Sequence, residues 1–572
     1  MPRLGPAAVL VVVLVAVGAW PSLDGSQSSA AATTVVTQDC VANFLRATQE
    51  AYTSARSSSL EDAYSLVSDA VNDFVTDCIQ GTVAGGTFRP LRLLVPASTA
   101  SAGDTLSQFY QEASGFQVVS ELAPDDAFVE ELMVTERTLP TAYDGWCMYA
   151  SDLLPVLENT GLSQPIDSFL EAASEQADWL DLLPAVRDLA LTYGGQRWAM
   201  PVNGNGGGMY LRRDLFEKAG LGVPTTWDDL LIAANIINGT DIDGDGHGDY
   251  SFCLRKYSCV ATSQYVIGQV LSSITQTHGT QSHWLFDPDS MEHFAGTAAM
   301  ERALVLMQAL LPYSYQEDCE EALDAAFVAG KCAITISSTS LFKTVQQSAI
   351  RLLVEYAALP GSSLVWDRDS RSLQRCTRAT CPHATLRTVY SGERELVNAA
   401  PYFGFAGFIC MVNRQQPAAF QQSVFDGMSY VASKQVSGLL FRLVSYMEPF
   451  RTSHFDTSAE GLALWAAVGY NTTAVAHFLD ATYAMATSPN FAVDLSITGS
   501  TRYVASMRAA MRHVEAMDPP AEIASQLRAD FDAILATSGP IDRVRSVFRA
   551  ALGIAPPPPP PQPQPQPPQP LP

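Results

Sequence analysis

Basic side chains are scarce in this chain: 34 Lys and Arg stand against 59 Asp and Glu in 572 residues, for a formal net charge of −25. An excess of that sign repels phosphate backbones and anionic lipid surfaces, which argues against nucleic acid and membrane surfaces as partners. Catalytic signatures are also missing. There is no Gly-x-Ser-x-Gly elbow and no His-Glu-x-x-His, and the eight histidines are scattered without an acid at a motif spacing. The expectation is therefore a protein that is not an enzyme, although the two distant carboxylates of a glycosidase would leave no such mark. Long apolar runs are confined to the N-terminus. After Arg3, residues 7–19 form an apolar stretch with a small-residue exit interrupted by Trp20 and Pro21. This reads as a secretory signal over residues 1–25, since a membrane span needs about 20 apolar residues. The alternative is an uncleaved anchor. Residues 403–412 are the next most apolar stretch, but glycines interrupt them, so no span is expected in the mature chain.

What is present describes a globular, secreted protein. Apolar residues make up 47% and charged residues 16%, and a single core stops growing near about 250–300 residues, so at least two cores are expected. Ten cysteines, an even number, suit an oxidising compartment. Spacing suggests Cys253 with Cys259, Cys319 with Cys332, Cys376 with Cys381, and Cys40 with Cys78, leaving Cys147 and Cys410 to meet across the fold. Cys376, Cys381 and His383 form one isolated cluster without a full zinc ligand set, so disulfides are the simpler reading. Asn238-Gly-Thr240 and Asn471-Thr-Thr473 are glycan acceptor sequences for exposed loops. Residues 556–572 are Pro and Gln apart from one Leu. Such a tail forms an extended polyproline II rod, either a stalk or a linker to a cell wall or a further module.

Between these ends the chain divides into segments. Residues 26–87 contain a Ser/Ala/Thr-rich spacer followed by a helical hairpin, in which Phe44, Ala47 and Tyr52, then Leu60, Tyr64, Val67 and Val71, recur at helical spacing. From Phe88 onward, apolar strands at 91–95 and 116–120 flank a helix at 103–111. A helix at 126–138 and a strand at 142–146 follow. Strand and helix in alternation indicate parallel α/β layering.

The most informative stretch is residues 193–238. Apolar residues 198–202 break at Asn203-Gly-Asn-Gly-Gly-Gly208 and resume at Met209-Tyr210-Leu211. A charged helix over 214–219 closes at Gly220, and Thr226 precedes an amphipathic helix with Asp228 and Asp229 in its first turn. A phosphate cradle would need a Lys-Ser/Thr ending and a following helix, so the glycines fit a crossover better. This strand, crossover, strand ending in Arg-Asp-Leu-Phe216 and Thr-Trp227 helix start resembles the central signature of the family 1 extracellular solute-binding proteins, the maltose-binding-protein group. Residues 327–336, 354–361 and 401–408 resemble later strands of that family.

The resemblance implies an α/β fold of two discontinuous lobes joined by hinge crossovers, type II periplasmic-binding-protein-like, with a small N-terminal helical extension. Lobe 1 would comprise 88–204 and 356–435, and lobe 2 would comprise 205–355 and 445–552. It implies capture of a small solute, a sugar or oligosaccharide favoured, by hinge closure, for uptake through a membrane transporter or for sensing. The alternatives are the ectodomain of a larger receptor and a wall-associated glycoprotein that has lost its pocket. Carried over by position, the ligand-binding candidates are Trp146 at the tip of the third strand, Asn205 in the crossover, Ser337 and Ser338, Phe405 and Phe408, Arg451 and Tyr503. Ser337-Ser-Thr-Ser340 stands where relatives carry glycine and an aromatic residue, which puts a stacking platform there in doubt. Aromatic rings cover a sugar's apolar face, while amides, hydroxyls and guanidinium groups satisfy its hydroxyls. Solute capture requires no cofactor. A separate loop places Asp241, Asp243 and Asp245 at alternate positions, then Gly246 and Asp249, as in calcium loops, but Phe252 replaces the closing glutamate. A structural calcium ion or a plain carboxylate-rich loop are the two readings.

Overall fold

A computed structural model describes residues 89–555 apart from 100–106, 109–110, 112–116, 174–176, 257–262, 318–319, 402–406 and 445. The signal, the spacer and hairpin at 26–87, the tail, Phe405, and Cys40, Cys78, Cys259 and Cys319 lie outside the described residues.

Two sheets organise the chain. In the first, β1 (Leu91–Pro96) lies parallel between β2 (Val118–Ala123) and β3 (Gly145–Tyr149). The order is completed by β16 (Phe408–Asn413), antiparallel to β3, with β4 (Ser163–Gln164) and β7 (Met200–Asn203) both on its far side. Val, Leu and Met dominate these strands, as suits a sheet covered on both faces. Cys147 and Met200 face one core and Trp146 and Met148 the other. A small antiparallel ribbon, β5 (Thr192–Tyr193) with β6 (Gln196–Arg197), precedes β7. The second sheet has the order β11 (Val354–Ala357), β8 (Gly207–Arg212), β10 (Ile334–Ser338), β9 (Phe252–Cys253). Helices cover it, among them Trp227–Ile237, Ser263–Thr275 and Ala298–Leu310. These two α/β bodies are the expected lobes.

Local signals position the join between them. The helix Arg213–Ala219 ends at Gly220, whose φ of 69° is the left-handed value that glycine adopts without strain. Thr226 forms a reciprocal capping box with Asp229. The first crossover is residues 204–206, between β7 in lobe 1 and β8 in lobe 2.

The second crossover differs from expectation. Residues 358–401 do not return to lobe 1 after β11. They form two hairpins, β12 (Leu364–Asp367) with β13 (Ser372–Arg375) and β14 (Thr385–Thr388) with β15 (Arg394–Val397), and stay on lobe 2. Arg368 donates to Asp287 Oδ2 at 2.8 Å and to the His283 carbonyl at 2.8 Å. The Tyr390 N–H donates to Asp229 Oδ1, and Asn398 Nδ2 donates to the Ser273 and Gln276 carbonyls. Long-range polar contacts thus hold the segment where lobe 1 was expected to begin again.

Three disulfides are described. Cys147–Cys410 joins directly opposed residues of β3 and β16, and Cys376–Cys381 closes the turn between the two hairpins. The spacing-based pairs Cys253–Cys259 and Cys319–Cys332 are replaced by Cys253–Cys332. Strand pairing explains the change, because β9 runs beside β10 and brings Cys253 to the residues that follow Cys332.

Candidate functional site

Parallel strands β1, β2 and β3 end on the same edge of lobe 1, and ligands of open α/β sheets sit beyond such carboxyl ends. The residues delivered there are Asp125 after β2, and Tyr149 and Asp152 at and after the end of β3. Lobe 2 contributes Ser338 at the carboxyl end of β10, and Asn205 of the first crossover lies beside it, because the Thr339 N–H donates to the Gly206 carbonyl at 2.8 Å. Asn205 and Ser338 are both partly exposed. Ser338 Oγ hydrogen-bonds Ser340 Oγ, and the Ser338 carbonyl accepts from the Tyr210 hydroxyl at 2.7 Å. Among the described residues, the join between the lobes thus carries one partly exposed amide, Asn205, and two partly exposed hydroxyls, Ser338 and Ser340. The Tyr149 ring stands edge-on to Phe408, with centroids 5.9 Å apart.

A group of acids at the strand-end edge of lobe 1 also draws on both lobes. Burial, then the charges of Asp494 and Asp125, push the Asp152 carboxyl up to about 7. Asp494 belongs to a lobe 2 segment anchored by Trp284 Nε1 on the Val493 carbonyl at 2.7 Å. The same segment touches lobe 1 where Thr498 Oγ1 donates to Glu158 Oε1 at 2.9 Å. Asp152 precedes the helix Leu153–Asn159 that carries Glu158, so one short region of lobe 1 meets one loop of lobe 2. Carboxylates so placed accept hydrogen bonds from hydroxyls or attract a cation.

Several residues inferred from the sequence lie elsewhere. Trp146 is fully buried in the lobe 1 core, because β3 begins at Gly145 and its tip is Tyr149 rather than Trp146. Asp144 fixes that start: its carboxylate takes both Arg89 guanidinium nitrogens at 2.7 Å and the Arg92 N–H. Phe408 is 5% exposed and packs in the lobe 1 core. Ser337 is 2% exposed and donates to Asp324 Oδ2. Arg451 is fully buried, its Nε, Nη1 and Nη2 donating to the Ala432, Asp178 and Ala177 carbonyls. That spends the guanidinium on structure. Tyr503 sits in a closed aromatic cluster with Phe286 and Phe531. Of the described candidates, Asn205 and Ser338 are the ones left partly exposed, at the join between the lobes. Tyr149, Asp125, Asp152 and Asp494 were missed. Tyr149 and Asp152 were within reach of the rule about strand ends had β3 been placed correctly, and Asp125 had the strand read at 116–120 been carried on to Ala123, whereas Asp494 carries no sequence signal.

The acidic loop closes on itself. Oxygen atoms of Asp241, Asp243 and Asp249 lie within 4.8 Å of one another, a spacing a hard cation could bridge. Those carboxylates already accept local backbone N–H groups: Gly244 and Gly246 donate to Asp241, Asp245 to Asp243, and Ile242 to Asp249. Lys331 pairs with Asp243, and Asp245 Oδ2 lies 3.9 Å from the same ammonium.

Comparison with known proteins places this architecture. The family model for bacterial extracellular solute-binding proteins matches residues 107–354. A mannitol-binding protein of Pseudomonas aeruginosa is 31% identical over 166 residues, 28% of this chain and 35% of that protein. The chain thus aligns with about a third of that curated relative's length. Among solved structures, a transporter solute-binding protein of Agrobacterium radiobacter in complex with ribitol superposes with a TM-score of 0.55, at 15% identity, over 80% of this chain and 100% of that one. A Thermotoga lettingae solute-binding protein bound with α-D-tagatose gives 0.57, at 15% identity, over 78% and 100%. Residues 107–354 of this chain are therefore matched to the bacterial extracellular solute-binding proteins, and its fold is the two-lobed type II periplasmic binding fold.

Proposed function

We propose that this chain captures a sugar or polyol between its two lobes and holds it by hinge closure, without chemical change. The observation that carries the reading is that both lobes place polar groups where they meet: Asn205, Ser338 and Ser340 stand partly exposed at the first crossover, and the lobe 1 acids Asp152 and Asp125 face the charge of Asp494 from lobe 2. A polyol presents many hydroxyl donors and no charge. Ionised carboxylates and amide oxygens accept from such donors, and the Tyr149 ring offers an apolar wall. The mannitol, ribitol and tagatose named for the relatives belong to that chemical class. No helix among the described residues is long and apolar enough to cross a membrane. The reading places the protein outside the cell, delivering its solute to a membrane transporter or reporting it to a receptor module.

Isothermal titration with mannitol, ribitol, tagatose and maltose tests this. Binding by at least one is expected, and Asn205→Ala should weaken it about tenfold, the equivalent of about 1.4 kcal/mol. Absence of heat with every member of a broad polyol and sugar set, at millimolar concentration, would retire the reading.

A further inference from the structure

The third crossover, which runs from the helix Lys434–Leu443 toward the lobe 2 helix Ala459–Ala467, carries an acid that the cleft itself does not display. Glu448 is 6% exposed. Its Oε2 accepts from the Gly206 N–H at 2.7 Å and from the Thr339 hydroxyl at 2.7 Å. Gly206 is the neighbour of Asn205, and Thr339 is the neighbour of Ser338. The backbone of Glu448 is tied to the same place: its N–H donates to Asn203 Oδ1 at 2.7 Å, and its carbonyl accepts from the Gly204 N–H at 3.2 Å. Asn203 Nδ2 completes the lacing by donating to the Tyr446 carbonyl at 3.3 Å. A Cβ on Gly204 would lie 2.2 Å from the Pro449 carbonyl oxygen, so the first and third crossovers touch with no room for a side chain.

Two buried cations hold the third crossover on either side of Glu448. Lys343 of lobe 2, 1% exposed, donates through Nζ to the Phe441, Val444 and Met447 carbonyls. Arg451 grips the lobe 1 carbonyls already described. A buried carboxylate needs donors and a nearby basic group, and here that group is Lys343: burial lowers its ammonium to about 7, while the charge of Glu448 acts to raise it. With both flanks fixed, the short stretch at 448–450 and the glycines at 204–206 are where torsion can occur.

We propose that Glu448 is a positioning residue that couples the cleft floor to the hinge, holding Asn205 and Ser338 in register only while the first and third crossovers are laced together. Ligand that engages Asn205 and Ser338 thereby stabilises the laced state, and lobe opening that strains the lacing disperses the floor. This rests on the cleft being the ligand site, so the test includes a readout that needs no ligand.

Small-angle scattering of the ligand-free full chain is compared for wild type, Glu448→Ala, Glu448→Gln and Asn205→Ala, alongside calorimetry with mannitol or whichever polyol binds wild type. Glu448→Ala should enlarge the radius of gyration and weaken binding at least tenfold. Glu448→Gln keeps an oxygen that can accept from Gly206 and Thr339, and should restore most of the wild-type scattering profile. Asn205→Ala should weaken binding with scattering unchanged. If Glu448→Ala lowers thermal stability but leaves scattering and affinity at wild-type values, the residue is merely structural and the proposal is overturned. If Glu448→Ala does not fold, Glu448→Gln and Thr339→Val carry the same comparison, and wild-type scattering and affinity in Thr339→Val overturn it. If no polyol binds wild type, the functional reading fails, while unchanged scattering in Glu448→Ala would separately sink the coupling.

Discussion

Two groups of acids among the described residues behave in opposite ways. Beyond the amino end of β10, Lys331 and backbone N–H groups answer the carboxylates of the Asp241 to Asp249 loop. Between the lobes, burial acts first on Asp152, and the charges that then act on it are both negative. Residue type alone makes the first group the more conspicuous site, with its alternating aspartates and glycines. Surroundings reverse that order. A carboxylate already served by its own loop has little left to offer a ligand, whereas one held among like charges has much to gain from a guest.

The contrast can be broken most directly through stability. Asp152 holds its proton more tightly in the fold than at its ordinary value of 3.8, with a folded value of about 7. The stability that proton brings is therefore fully present below the ordinary value of 3.8 and is lost as pH rises through about 7. Asp152→Asn imitates the protonated form. It should exceed wild type by about 2–4 kcal/mol at pH 8, with the difference vanishing near pH 4, measured by urea unfolding at the two values. A constant difference across pH would mean that neither burial nor like charges raise Asp152.

A smaller effect is expected in binding. Hydroxyl donors favour the ionised carboxylate, so polyol affinity should rise roughly three- to tenfold between pH 6 and pH 8 and then level off. Calorimetry in two buffers of different ionisation heat would also show proton release on binding. The smallest effect concerns the other acids. With Lys331 in place, millimolar calcium should move the thermal midpoint little, because the cation must displace an ammonium from Asp243. Lys331→Met should enlarge that shift, and a chelator should reverse it. A large calcium response in wild type would instead make the Asp241 loop a metal site as it stands.

The parts of this arrangement that were legible in the sequence are those set by near neighbours. Thr226 with Asp229, Gly220 at a helix end and the glycine run before β8 each need only a few residues to be read, and together they carried the resemblance to solute-binding proteins. The hairpins at 358–401 were assigned to the wrong lobe because Arg368 meets Asp287, and Tyr390 meets Asp229, across long stretches of chain. Cys253 has a cysteine six residues away in sequence, but sheet pairing carries it to Cys332. Trp146 was misplaced by three residues of strand register: the Asp144 carboxylate is bound by Arg89, Asn413 Nδ2 donates to the Tyr143 carbonyl, and regular pairing starts only after them. Asp494 and Glu448 could not have been found, since each acts through partners from distant segments rather than through a motif.

The bond between Cys147 and Cys410 spans 263 positions along the chain, and the first portion of lobe 2 is threaded wholly inside that interval. A protease that nicks the backbone anywhere between the two cysteines therefore makes fragments that travel together. The clipped protein would migrate as one species on a non-reducing gel and as two only after thiol is added, so in an oxidising milieu backbone scission there would not by itself set the pieces apart.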